Sequence, residues 1–404
     1  MTIELRPVSK DELGAYFDRL LLTFTGARPP AARRQWLSDH VELDRTLGAF
    51  HRGRLVATAG AWTMDLSVPG ATVPMAGVTR VSVAPTHRRQ GLLRRMMRAQ
   101  LDEFRRRQEP LAGLYASEAP IYGRFGYGVA TWHAHLNIAR AQSGFVVPIG
   151  GGDVEELALS EARDVLSRVY ASARRVHPGA PEVPDAIWRR WLEVSGGEAR
   201  HGDLQCVVHD SGSGPDGYVL YQVGNRGGPA NPLGTLQVRS LIATTTAAYA
   251  RLWRYCLDVD LIGTVRARER RQFEPLLTLL ADPRAASARV EDGLWLRLVD
   301  VGSALAGRRY SAEDRLVLEV ADSFCDWNRG RWELTGGPGG AECTRSSKPA
   351  DLTLEAAALA ACYLGGTRFS DLAETGQVEG SAAALARADA MFASTPAPWC
   401  PIRF

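Results

Sequence analysis

The run Arg88-Arg89-Gln90-Gly91-Leu92-Leu93 carries the clearest chemistry in the chain. It follows a strand-like stretch, Val81-Ser82-Val83-Ala84-Pro85, and opens a segment expected to be helical from Arg88 to Gln108. There Leu92, Leu93, Met96, Met97, Leu101 and Phe104 recur at helical spacing. The first backbone N–H groups of a helix have no partner inside it. With the positive end of the helix dipole they form an anion site. Gly91 lets the backbone come close to a bulky phosphate. Arg88, Arg89, Arg94 and Arg95 add positive charge beside it. A pyrophosphate suits this arrangement, although an arginine-rich solvated helix start would carry the same residues. Neither GxxxxGK[ST] nor GxGxxG is present, so a Walker loop and a dinucleotide fingerprint are excluded.

Other groups point less far. His133 and His135 alternate in a strand-like segment and so share a face. Without a nearby third ligand, the plainer reading is a strand and no metal is expected. The six cysteines include no CxxC pair, and no disulfide framework is expected. The N-terminal residues lack a basic stretch followed by an apolar one, so no signal peptide is expected. No apolar run is long enough to cross a membrane as a helix. A cytoplasmic location is the default that follows.

The elements that must hold these residues fit a mixed α/β (α+β) chain. With 404 residues, two or three domains are expected. Hydrophobic residues at 45% and charged residues at 23% exclude a disordered chain. A net charge of +3 gives no support to a nucleic-acid partner. Lys10 and Lys348 are the only lysines among 48 basic residues, a bias best read as compositional. Over 1–147 the patterns alternate as β-α-α-β-β-β-α-β-α-β, with a turn at Arg52–Gly53. Pro148 to Asp153 is a glycine-rich break. Over 148–289 a similar order recurs without comparable motifs, which suggests a duplicated fold whose second copy lost its site. The segments 211–217 and 224–234 read as hairpin turns. From 290 to 404, strands precede alanine-rich helices in a third, α+β block.

Here the residues reach a family. RRQGLL between a strand and a long helix resembles the [RQ]xxGx[GA] acetyl-CoA loop of GNAT N-acetyltransferases, with Leu93 in place of the last small residue. The fuller strings VSVAPTHRRQGLLR and YASEAPIYGRFGYGVAT resemble the Eis-type (enhanced intracellular survival) subfamily. The likeness covers the whole chain, including DGLWLRLVDV near 292 and a terminal Phe. It implies tandem GNAT folds, the second degenerate, followed by a sterol-carrier-protein-like domain. It also implies acetyl-CoA as acyl donor, no metal, an amine acceptor and a homohexamer. The strand before the loop should splay from its neighbour so that Val81, Ser82 and Val83 pair with the pantetheine arm. The pyrophosphate should sit on Arg89, Gln90, Gly91, Leu92, Leu93 and Arg94. Ser117 and Glu118 should lie on the far side of the cofactor.

Acyl transfer to an amine needs a neutral nucleophile and a proton for the departing thiolate. The resemblance assigns the proton to Tyr122, whose phenol is protonated at neutral pH. Tyr127 is the local rival, read instead as a packed aromatic. The resemblance gives the base role to the terminal carboxylate, here Phe404, threaded from the third domain into the first domain's cleft. Such a carboxylate is a weak base unless desolvated or acting through water. Phe24 and Trp36 fall where the family has aromatic walls for the acceptor, although a helical core face would place them too. Members that modify aminoglycosides hold the polycation with acidic residues. Two such positions are Gly26 and Arg403 here, which counts against a polycationic acceptor unless Asp39, Glu42 or Asp44 compensates. The acceptor class therefore stays open among aminoglycosides, polyamines and lysine side chains. A lipid or apolar-ligand binder, or an acyl-CoA sensor without turnover, is the competing reading.

Overall fold

The computed structural model describes residues 3–28, 30–193, 203–224 and 233–404. Most of the hairpin expected over 224–234 lies outside them. Contacts group the chain into two compact units. One takes Met1–Ala130, Leu294–Ser394 and Phe404; the other takes Thr131–Gly293 and Thr395–Arg403.

The first unit opens with β1 (Ile3–Pro7), α1 (Leu13–Thr25), α2 (Ala31–Asp39), β2 (Thr46–His51), β3 (Arg54–Val68) and β4 (Ala71–Val83). Then come α3 (Leu92–Arg106), β5 (Leu111–Leu114) and β6 (Gly128–Val129). Positive φ at Arg52 and Gly53 makes the tight turn between β2 and β3. A strand from far downstream, Trp295–Leu298, inserts between β5 and β6 to complete a seven-stranded sheet. Its Leu296 and Leu298 are fully covered, so it belongs to this core and not to the C-terminal block in which its sequence placed it. Helix α3 starts later than its pattern implies. Gly91 has φ +74°, which a right-handed helix cannot continue, and Pro85–His87 forms a separate single turn. Leu92, Met96, Met97, Leu101 and Phe104 form its buried stripe.

Within the same unit, a five-stranded sheet holds the C-terminal region. Its order is Gly340–Arg345, Gly330–Gly337, Asp314–Ala321, Leu352–Glu355, Val378–Gly380. The expected alanine-rich helices are present at Ala356–Cys362, Phe369–Glu374 and Ala382–Phe392.

The second unit has its own seven-stranded sheet. The expected helices lie at Leu159–Arg174, Asp185–Glu193 and Thr246–Asp258. The sheet borrows Trp132–Ala139, which the alternation pattern had joined to the first block. That strand pairs with both Ile262–Arg271 and Ala286–Asp292. The glycine-rich break at 148–153 therefore sits inside the second unit, and the contact boundary falls at Ala130. Among the described residues, no helix is long and apolar enough to cross a membrane.

Candidate active site

Strand β4 builds the site by leaving its neighbour. Parallel pairing with β5 covers only Met75–Gly77 against Leu111–Gly113. Beyond Gly77 the pairing with β5 ends, while β4 stays paired with β3 as far as Val83. A bulge near Arg80, with φ +57°, twists this splayed stretch further. Val81, Ser82 and Val83 thus keep backbone groups on the open edge. Ser82 is held on the other side, its hydroxyl 2.7 Å from that of Thr58.

The chain then turns through Pro85–His87 and Arg89, with φ +60°, to Gly91. Gly91 is the N-cap of α3 and has no side chain with which to satisfy the first N–H groups. Those donors are left for a ligand. A cleft of about 880 Å³ runs along this edge. Its lining takes in every residue expected to hold the cofactor except Gln90: Val81, Ser82, Val83, Arg89, Gly91, Leu92, Leu93, Arg94, Ser117 and Glu118. Gln90 instead turns its side-chain amide back to the Thr86 carbonyl, 3.3 Å away. Arg95 bonds the Ile3 carbonyl at 3.0 Å.

Tyr122 lines the same cleft. It is buried, and its ring meets that of Tyr127 edge to face at 6.0 Å. Burial, and then the charge of Glu118, push its phenol up to about 12. Tyr127 is wholly buried behind it, as a packed aromatic should be. Phe24 lies on the cleft wall and is well exposed. Trp36 is not among the lining residues. It is half-buried and stacks on His40, 4.4 Å between rings.

Phe404 sits where β4 and β5 part. Its ring packs edge-on against Tyr115 at 5.7 Å. The ring also lies over Gly77, where a Cβ would come within 3.2 Å of it and 2.5 Å of Met64 Sδ. Its main-chain oxygen accepts from the Thr79 hydroxyl at 3.5 Å. Gly77, Thr79 and Tyr115 mark the fork itself. Phe404 is not part of the cleft lining.

Sequence reasoning missed His87, Arg124 and Phe125, which also line the cleft. Proximity to the loop or to Tyr122 was the only signal available. In the second unit, His133 is a buried strand residue whose Nε2–H donates to the Cys400 carbonyl at 2.8 Å. No group of three metal-ligating side chains occurs among the described residues. The acidic residues weighed for the acceptor are engaged elsewhere. Glu42 accepts from the Thr63 backbone and hydroxyl, Asp44 pairs with Arg107, and Asp39 accepts from Gln35. Arg403 is charge-paired with Glu269 at 2.6 Å. Gly26 is the left-handed C-cap of α1.

Comparison with known proteins accounts for this architecture. Residues 4–130 match an acetyltransferase (GNAT) domain, and residues 179–298 match a second one. Residues 301–401 match a sterol carrier protein domain. An uncharacterized N-acetyltransferase of Streptomyces avermitilis is 40% identical over the full length of both chains. N-acetyltransferase Eis of Mycobacterium tuberculosis is 33% identical over 98% of each. The crystal structure of Eis1 from Mycobacterium abscessus superposes with a TM-score of 0.88, at 32% identity and full coverage of both chains. The chain belongs to the Eis-type family of GNAT N-acetyltransferases, enzymes that move an acetyl group to an amine.

Proposed function

We propose that the cleft binds acetyl-CoA and that an amine attacks its thioester directly, with Tyr122 and Phe404 handling the protons. The observation that carries this is the convergence on one cleft of the splayed β4 residues Val81–Val83, the open start of α3 and Tyr122. The residues present fit the ligand. Val81, Ser82 and Val83 would hold the pantetheine arm through backbone groups. The N–H groups after Gly91, with Arg89 and Arg94, would hold the pyrophosphate. Ser117 and Glu118 would close the far side. Acetyl-CoA supplies an activated acyl group. Everything else falls to the chain.

Tyr122 keeps its proton at neutral pH, as a phenol ordinarily does, and burial raises its pKa further. A phenol near 12 is a weak acid. Its donation is matched only because the same dry surroundings raise the basicity of a departing thiolate. The carboxylate of Phe404 would draw the proton from the attacking amine, directly or through water. The acceptor is an aminoglycoside, a polyamine or a lysine-type amine. Pairing of Arg403 with Glu269 removes one objection to a cation, whereas the engagement of Asp39, Glu42 and Asp44 leaves them poorly placed to hold one. A homohexamer in the cytoplasm belongs to the same reading, and sedimentation of the purified chain tests the assembly.

Tyr122→Phe keeps the ring against Tyr127 and removes the proton. Turnover, followed as CoA thiol release across an amine panel, should fall about a hundredfold. Acetyl-CoA affinity should hold within a factor of about two. Equal loss of both would make Tyr122 a packing residue. Two glycines added after Phe404 should abolish turnover in the same assay, and an unchanged rate removes the carboxylate from the mechanism.

A further inference from the structure

In the C-terminal region of the first unit, the short segment 322–327 packs behind two walls of the cleft. Asp322 is almost fully buried and organises it. Its Oδ1 accepts from the backbone N–H of Phe324 at 3.0 Å and of Cys325 at 2.8 Å. Its Oδ2 pairs with the guanidinium of Arg297, which is wholly buried on the inserted strand. Asn328 donates to the same oxygen at 3.3 Å. Every acceptor position of this carboxylate is spent on fixing one turn.

That turn presents Phe324 to two walls of the cleft. On one side its ring meets Phe125, 5.0 Å between centroids. Phe125 lies one turn beyond Tyr122, and its N–H donates to the Tyr122 carbonyl at 2.9 Å. On the other side the guanidinium of Arg94, in the first turn of α3, lies 4.9 Å from the Phe324 centroid. The Phe324 carbonyl accepts from Arg98, one turn further along α3, at 2.8 Å. Arg297 also donates to the Gly126 carbonyl at 3.5 Å. A Cβ at Gly126 would fall only 1.7 Å from that guanidinium, so the turn after Tyr122 is seated directly on it. Arg94, Tyr122 and Phe125 all line the cleft. Phe324 does not.

We propose that Phe324, held by Asp322 and Arg297, is a positioning residue that sets the separation between the phosphate-binding start of α3 and the turn carrying Tyr122. The physical reason is close packing. A buried ring between two elements transmits their spacing, and its loss leaves a void that the neighbours fill by moving. Reacting groups tolerate little of that, since about 1 Å of displacement can cost about a hundredfold in rate. The half of the inference that concerns Tyr122 rests on the mechanism proposed above. The half that concerns Arg94 rests only on phosphate binding.

The test is steady-state kinetics of Phe324→Ala and Phe324→Leu in the full chain, with Tyr122→Phe run beside them. Phe324→Ala should raise the KM for acetyl-CoA about tenfold and lower kcat about tenfold, because both walls shift. Phe324→Leu refills much of the volume and should restore most of each. A folded Phe324→Ala enzyme with a lower Tm and wild-type KM and kcat overturns the proposal. If Phe324→Ala does not fold, Arg98→Gln decides. It removes the Phe324 carbonyl contact from a partly exposed position and should raise the KM for acetyl-CoA about threefold. Wild-type kinetics there overturn the proposal equally. Should Tyr122→Phe prove fully active while Phe324→Ala still raises KM, the acid role has failed and the positioning role at α3 stands.

Discussion

The two GNAT-like units share a strand–helix–strand core, and they differ at the start of the helix and in the gap between its flanking strands. In the first, β4 leads through Gly91 into α3 and on to parallel β5. In the second, Gly234–Ala243 leads into the helix Thr246–Asp258 and on to parallel Ile262–Arg271. Two local differences separate them. The first helix begins at a glycine in a left-handed conformation, and its leading N–H groups face a cleft. The second begins at Thr245, whose hydroxyl oxygen accepts from Ala248 N–H at 3.1 Å and is itself tied to Asp216 at 2.8 Å. Asp216 is in turn hydrogen-bonded to His209. A helix start that caps itself leaves fewer N–H groups for an anion.

The gap between the strands differs in the same sense. In the first unit β4 parts from β5 beyond Gly77. In the second, the strands stop pairing after Val238 and Ala267, and a side chain enters between them. Arg270 donates to the Leu241 carbonyl at 2.9 Å. It is locked there by buried Glu274 at 3.1 Å, with Trp253 and Trp399 over its guanidinium. One backbone acceptor that an extended ligand arm could use, the Leu241 carbonyl, is thus already taken. The two copies thus differ by a capped helix start and a buried arginine between the strands, with no change in the order of elements.

The largest expected effect comes from pulling the plug. Glu274→Ala leaves the Arg270 guanidinium buried without its partner, and should destabilise the chain by about 3–5 kcal/mol in denaturant titration. Acetyl-CoA binding, counted by calorimetry, should remain at one per chain, because Thr245 still closes the helix start. A second equivalent would mean that Arg270 alone had shut the second copy. The converse experiment closes the first copy. Gly91→Val forces a β-branched residue to φ +74° and puts a side chain where a phosphate must approach. Acetyl-CoA affinity should drop about a hundredfold, with Tm lowered by a few degrees at most by the strained backbone, since nothing in the structure lies within 4 Å of a Cβ there. Retained affinity would show that the open helix start is not the anion site.

Much of the open copy was legible because its signals are local. The apolar stripe of α3, the turn at Gly91 and the strand ending at Pro85 lie within one stretch of sequence, and each has a mechanism attached. What escaped was set by distant partners. Nothing in Trp295–Leu298 announces that it will slot between β5 and β6, since a short apolar strand fits any sheet with a free edge. Trp132–Ala139 was assigned by chain order to the wrong neighbour for the same reason. The buried charges were hardest. Arg270 and Arg297 are two arginines in an arginine-rich chain, and only their burial against Glu274 and Asp322 distinguishes them. The duplicated order of elements was readable, but the capped helix start and the buried Arg270 of the second copy were not.

The smallest effect concerns how the second copy responds to acid. His133 and His177 both belong to that unit and are buried. His133 donates to the Cys400 carbonyl, and Arg271 donates to His177 at 3.1 Å. Burial pulls both imidazoles down to about 4, aided for His177 by the charges of Arg271 and Arg270 and, for His133, by that of Arg403 among others. The unfolded chain takes up these protons near pH 6.5, whereas the folded chain resists until about 4. Between those values the unfolded state binds more protons, so stability must fall as pH falls. The contribution is intact above 6.5, declines through the interval and levels off below 4. At pH 5 each histidine should cost on the order of 1–2 kcal/mol. His177→Gln should flatten the curve of Tm against pH over this window, because glutamine carries no proton to lose or gain. If the acid-induced loss is the same with and without His177, the instability arises in the carboxylate pairs instead. The closed copy would then be no more acid-sensitive than the open one.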